Sequence, residues 1–147
     1  MSEPITRPDL SGRPYECSAQ REMAAAPAVL FKAWTERFDE WFAAPGTVLM
    51  RPAVDEAYFF ETRFESQRHP HYGRFLALEN PGLVEMTWLT SSTGGAETVV
   101  RVELTASNTG TLLALTHRGF PDMPSRDRHA DAWPQVLAQL DGRSSDW

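Results

Sequence analysis

The chain has 147 residues, the size of one ordinary domain and too few for two. Hydrophobic residues make up 41% and charged residues 23%, a globular composition that excludes a disordered tail or a coiled-coil rod. The 20 acidic residues outweigh the 14 basic ones, a net charge of −6 that argues against a nucleic-acid surface, and the single cysteine excludes a disulfide framework or a multi-cysteine metal site.

Residues 1–14 are polar and proline-rich, without the apolar run of a signal peptide or membrane span. They read as a flexible leader, or as an arm that docks on the body, ahead of a single domain over 15–147. The expected setting is the reducing cytoplasm. Tyr15 to Ala25 alternates and predicts a first strand. Pro27 opens a helix on which Val29, Leu30, Ala33 and Trp34 recur at helical spacing. A second short helical stretch carries Phe38, Trp41 and Phe42 on one face and ends at Pro45-Gly46.

The period then changes to two. Strands are predicted over Thr47 to Arg51, Ala57 to Glu65, His71 to Leu78, Leu83 to Leu89, Glu97 to Thr105 and Thr111 to His117. Asn80-Pro81-Gly82 and Asn108-Thr109-Gly110 mark turns, and such short connections make an antiparallel meander. Ser125 to Leu140 reads as a helix capped by Ser125 and stopped by Gly142, with His129, Ala130, Trp133, Val136, Leu137 and Leu140 on one stripe. Pro134 within it predicts a kink or a division. The fold class is therefore α+β. A curved antiparallel sheet wraps around a long C-terminal helix, with two short helices after the first strand and room for a pocket between sheet and helix.

This order and several strings resemble the START-like (SRPBCC) superfamily, and within it the C-terminal-type domain of the activator of heat-shock-protein-90 ATPase homologue family. The likeness lies in the segments Ala26 to Thr35, Trp41 to Gly46, Leu83 to Trp88 and Leu115 to Asp122, followed by Arg126 to His129 and Trp133. It spans about Tyr15 to Leu140. Pro134 and the polar run Gln67 to His71 depart from the family's pattern. The resemblance implies a helix-grip fold with an internal cavity. It implies little about activity, because superfamily members carry lipids, bind hormones or aromatics, cyclise polyketides or have no assigned role.

Candidate site residues follow from which faces turn inward. Trp34, Phe38, Trp41, Phe60, Trp88, Phe120 and Trp133 form a core or line a cavity for a flat or long apolar ligand. His117 ends an inward strand face and His129 opens the helix. They read either as packed, hydrogen-bonded histidines or as an acid–base or metal-ligand pair, with no third ligand evident. Arg74 shares a face with Tyr72, Leu76 and Leu78. It holds an anionic ligand group if that face lines the cavity and is a surface residue if it does not. His69 and His71 read as a solvated loop, and Cys17 as an inert core or edge residue. No metal site, cofactor or catalytic group is assigned.

The leading expectation is a binding module for a small hydrophobic or amphipathic molecule, with no nucleic-acid partner and no membrane insertion. Two alternatives stand beside it: a cyclase-like or hydrolytic enzyme using His117, and an interaction module that stimulates a chaperone ATPase. Homodimerisation through a sheet edge is left open.

Overall fold

Period-two patterning from Tyr15 to Phe120 becomes six antiparallel strands in the order β1-β6-β5-β4-β3-β2. The computed structural model describes residues 5–147, and the first four residues of the expected leader lie outside it. The chain runs through β1 (Tyr15–Met23), α1 (Pro27–Thr35), a 3-10 turn (Phe38–Glu40), β2 (Ala57–Phe64), β3 (Gln67–Glu79) and β4 (Leu83–Trp88). A second 3-10 turn (Ser91–Thr93), β5 (Thr98–Ser107), β6 (Gly110–Phe120) and α2 (Met123–Ser144) complete it. Both helices pack against the sheet, α2 chiefly over β1 and α1 over β4 and β5. The sheet thus grips the terminal helix.

Alternation decides what each face of the sheet does. On β4, Val84, Met86 and Trp88 join the core, while Glu85 and Thr87 point the other way. Around Val100, Val102, Leu113 and Leu115 the inner face meets Trp34, Trp133, Leu137 and Leu140 from the helices. Phe38 stacks on Phe60 with centroids 4.8 Å apart, and Trp34 meets Trp41 edge-on at 5.1 Å.

Four boundaries differ from the sequence reading. Thr47 to Arg51 forms no strand; enclosed by Pro45 and Pro52, it makes one bridge, Leu49 to Phe59. The polar run Gln67 to Pro70, ahead of the strand expected from His71, is the first part of β3, joined to β2 by a tight turn with Glu65 and Ser66 at positive φ. At the N-terminus of α2, Asp122 rather than Ser125 is the cap, its carboxylate accepting the Ser125 backbone N–H at 2.8 Å. The helix continues past Gly142 to Ser144, which is buried. Pro134 removes one backbone donor, yet the helix is not divided there.

Residues 5–14 lie against the outer side of the sheet. Arg7 pairs with the buried Glu85, whose carboxylate also has Arg101 at 3.4 Å and Arg118 at 3.8 Å. Arg13 donates to the Glu97 carbonyl at 3.0 Å. Leu10 rests on Gly119, where a Cβ would come within 2.6 Å of it and φ is +92°.

Gly73 on β3 is required for a different reason. A Cβ there would lie 2.2 Å from the Thr87 carbonyl oxygen and 2.4 Å from the Tyr58 ring, which crosses the glycine to donate its hydroxyl to that same carbonyl. Gly73→Ala is expected to destabilise the domain by about 1–3 kcal/mol in urea unfolding. Gly142→Ala, with open space at its Cβ, is expected to be neutral or stabilising.

Candidate functional site

Two neighbouring inner-face residues of β3, His69 and His71, stand opposite Thr62 and Phe60 of β2. Trp88 ends β4, and the turn after it supplies Thr90, Ser91 and Ser92. From the other side α2 contributes His129, Ala132, Trp133 and Val136, and Phe42 projects from the segment after the first 3-10 turn. Together these residues line a cavity of about 220 Å³ between the β2–β4 end of the sheet and the helix. Its lining combines aromatic and aliphatic side chains with hydroxyls and imidazoles, and among the described residues no carboxylate, lysine or arginine lines it.

Behind the cavity, His117 is fully buried and both of its nitrogens are engaged. Trp133 Nε1–H donates to Nδ1 at 3.1 Å. An indole nitrogen only donates, so Nδ1 carries no proton and the neutral ring is the Nε2–H tautomer. Nε2–H then donates to Thr98 Oγ1 at 2.7 Å, and that hydroxyl donates to the Trp88 carbonyl. The chain therefore runs from α2 through β6 and β5 to β4. Burial, followed by the neighbouring His129, holds the His117 pKa well below its usual value of 6.5.

The other two imidazoles are fixed differently. His71 stacks on Phe60 with centroids 4.6 Å apart and meets Trp88 edge-on at 5.1 Å. Its Nδ1–H donates to the His69 carbonyl at 2.9 Å. His129 Nδ1–H donates to the Ser125 carbonyl at 2.8 Å. A carbonyl only accepts, so each neutral ring presents Nε2 as a bare acceptor. Burial lowers the His71 pKa to about 4 and also lowers that of His129.

The residues expected from sequence fall into four places. Trp88, Trp133 and His129 line the cavity. Trp34, Phe38, Trp41 and Phe60 sit in the core beside it. His117 and Phe120 lie behind His129, with ring centroids 4.9 Å from it in each case. Arg74 is elsewhere: on the outer side of β3 it meets Asp55 at 3.3 Å, Glu97 at 3.4 Å and the Thr6 carbonyl. An irregularity between Phe75 and Ala77 shifts the register, so that Leu78 joins the core although Arg74 does not.

Phe42, Thr62, His69, His71 and the Thr90–Ser92 turn were not among the expected site residues. The solvated-loop reading of His69 and His71 is corrected: both lie in a strand and line the cavity. Their i, i+2 spacing was the available signal, since it puts both on one face. Among the described residues no group of three His, Cys, Asp or Glu side chains could hold a metal ion. Cys17 is half-buried on β1, and burial pushes its thiol up to about 11, so it is protonated at neutral pH. No helix among the described residues is long and apolar enough to cross a membrane.

Residues 24–144 match the family described as activator of Hsp90 ATPase homolog 1-like protein. No curated protein matches the sequence. Among solved structures, protein CV1439 from Chromobacterium violaceum superposes with a TM-score of 0.76 at 24% identity, over 90% of this chain and 99% of that one. A Rhodobacter sphaeroides protein gives 0.73 at 23% identity, over 90% and 94%. An activator-like (AHSA1-like) protein from Aeromonas hydrophila gives 0.70 at 15% identity, over 89% and 92%. At these identities the structures show the shared fold.

The lowered imidazole pKa values fix the sign of an acid effect. Below about pH 6.5 the unfolded histidines take up protons that the folded ones refuse. Their contribution to stability is complete above that pH. It falls as the pH drops toward the folded value, about 4 for His71. Each group steepens the loss by up to about 1.4 kcal/mol per pH unit. Urea unfolding between pH 7 and pH 5 is expected to show this decline. His117→Leu is expected to cost about 1–3 kcal/mol at pH 7, through the partners it strands, and to flatten the pH dependence.

Proposed function

Since the chain belongs to the activator of Hsp90 ATPase homolog 1-like family, we propose that it is a START-like binding domain whose ligand is a small amphipathic ring compound held between α2 and β2–β4. The observation that carries this reading is the cavity itself, with Phe42, Trp88, Trp133 and Val136 as its apolar walls and histidines and hydroxyls at its edge. Its volume of about 220 Å³ suits a small ligand. A dry cavity of about 150 Å³ suffices for benzene, whereas drug-sized pockets begin at about 300 Å³. One substituted ring or two fused rings match that size, and a long acyl chain does not. The single cysteine fits work in a reducing cytoplasm.

Catalysis through His117 finds no support in this geometry. Its only acceptor nitrogen is occupied by Trp133 and its only N–H by Thr98, so it has nothing to offer a substrate. A protein-interaction role has one observation in its favour. Leu49, exposed at 70%, bridges to Phe59, whose ring lies 5.3 Å from that of the half-exposed Tyr72. This is an apolar patch on the far side of β2 and β3 from the cavity. Failure of the purified protein to retain any ATPase in a pull-down would leave that role without support.

Native mass spectrometry of freshly purified protein, followed by solvent extraction, is expected to show a bound ring compound. The indole N–H signals of Trp88 and Trp133 should move when neutral aromatics are titrated in. Ala132→Trp fills the cavity mouth from an exposed position. It is expected to abolish those shifts while leaving the thermal midpoint within a few degrees. Indole signals that no aromatic compound moves would remove the reading.

A further inference from the structure

The polar side of the cavity has a definite sense. We infer that its ligand is a neutral hydroxylated aromatic, a phenol in chemical class, whose hydroxyl donates to Nε2 of His71 or His129. This inference rests on the cavity being the binding site and adds the chemistry by which that site selects.

Two backbone carbonyls anchor the rings. His71 is held by the His69 carbonyl and His129 by the Ser125 carbonyl, each through Nδ1–H. Both bonds fix the tautomer, because a carbonyl has no proton to give. Nε2 is then an acceptor in both residues, and neither Nε2 has a hydrogen-bond partner among the described residues. Nor is either sealed in the core. The buried side-chain atoms without partners are Arg13 Nη1, Trp34 Nε1 and Ser144 Oγ, and the two imidazoles are not among them. Both residues line the cavity, which is the space we assign to the bare nitrogens.

Two free acceptors in an aromatic-walled space discriminate among ligand types. An anion meets imidazole lone pairs and neutral hydroxyls but, among the described lining residues, no lysine or arginine to balance its charge. A pure hydrocarbon covers the nitrogens without bonding to them and so strips them of water at a loss. A neutral ring with a hydroxyl satisfies an acceptor and still buries its apolar face against Trp88, Trp133 and Phe42. Burial, which keeps both imidazoles uncharged at neutral pH, preserves the lone pairs that this recognition needs.

The test uses three para-substituted toluenes at pH 7.5, with affinities read from the indole N–H shifts: the isosteric pair p-cresol and p-xylene, and the anion p-toluate. Apolar surface alone ranks p-xylene first, because it buries a methyl group where p-cresol has a hydroxyl. Donor recognition reverses that order. In the wild-type protein p-cresol is expected to bind at least about fivefold more tightly than p-xylene, with p-toluate the weakest. His71→Phe keeps the stack on Phe60 but removes an acceptor, and His129→Phe does the same on α2. Together they are expected to restore the hydrophobic order, p-xylene first. If p-xylene binds more tightly than p-cresol to the wild type, the inference is overturned and the cavity reading stands. If p-toluate binds best, it is overturned in favour of a cationic site. If no probe binds, the inference and the cavity reading fall together. The wild-type ranking decides the matter even where a variant does not fold.

Discussion

An apolar helix on an apolar sheet can slide, and a hydrophobic interface alone does little to stop it. Here one polar thread crosses that interface. The Trp133 indole donates to His117, His117 donates to Thr98, and Thr98 donates to the Trp88 carbonyl. The thread has a single satisfiable arrangement because its first member can only donate and its last can only accept. Any shift of α2 along the sheet would strand at least one buried polar group. The placement of Trp133 beside Trp88, with centroids 5.4 Å apart, follows from this, and so does the wall that the two rings make for the cavity.

Much of the fold is legible in the sequence because its signals are local. Alternation at Val100, Val102 and Leu104 marks β5, and the proline at position 27 marks the start of α1. The outward turn of Arg74 was not legible in the same way. A register shift between Phe75 and Ala77 breaks the alternation from Tyr72 to Leu78, and no residue type announces it. The strand character of Gln67 to His71 was hidden by composition. Gln67 and Arg68 are polar and Pro70 argues for a loop, yet pairing with β2 draws the whole run into the sheet.

The cavity shows the same division. Trp88, Trp133 and His129 could be named from periodicity, since each sits on an inward stripe. That His117 would be consumed in structure while His71 and His129 keep a free nitrogen could not. The difference lies in which backbone carbonyl or indole happens to face each ring, and that is set by tertiary contacts. Four histidines of similar appearance in the sequence thus divide by partner: one is locked on both sides, two on one side, and His69 lies at the cavity edge.

Pro134 gives this arrangement a mechanical property. The missing N–H leaves α2 short of one longitudinal tie in the turn that begins at Ala130, so the helix bends most easily there. His129, Ala132 and Trp133, which face the cavity, precede the proline; the core anchors Leu137 and Leu140 follow it. The soft point therefore lies between most of the cavity wall and the core anchors, with Val136 the wall residue beyond it. An outward bend there would pull Trp133 away from His117, so the polar thread that sets the helix in place also holds the cavity wall shut.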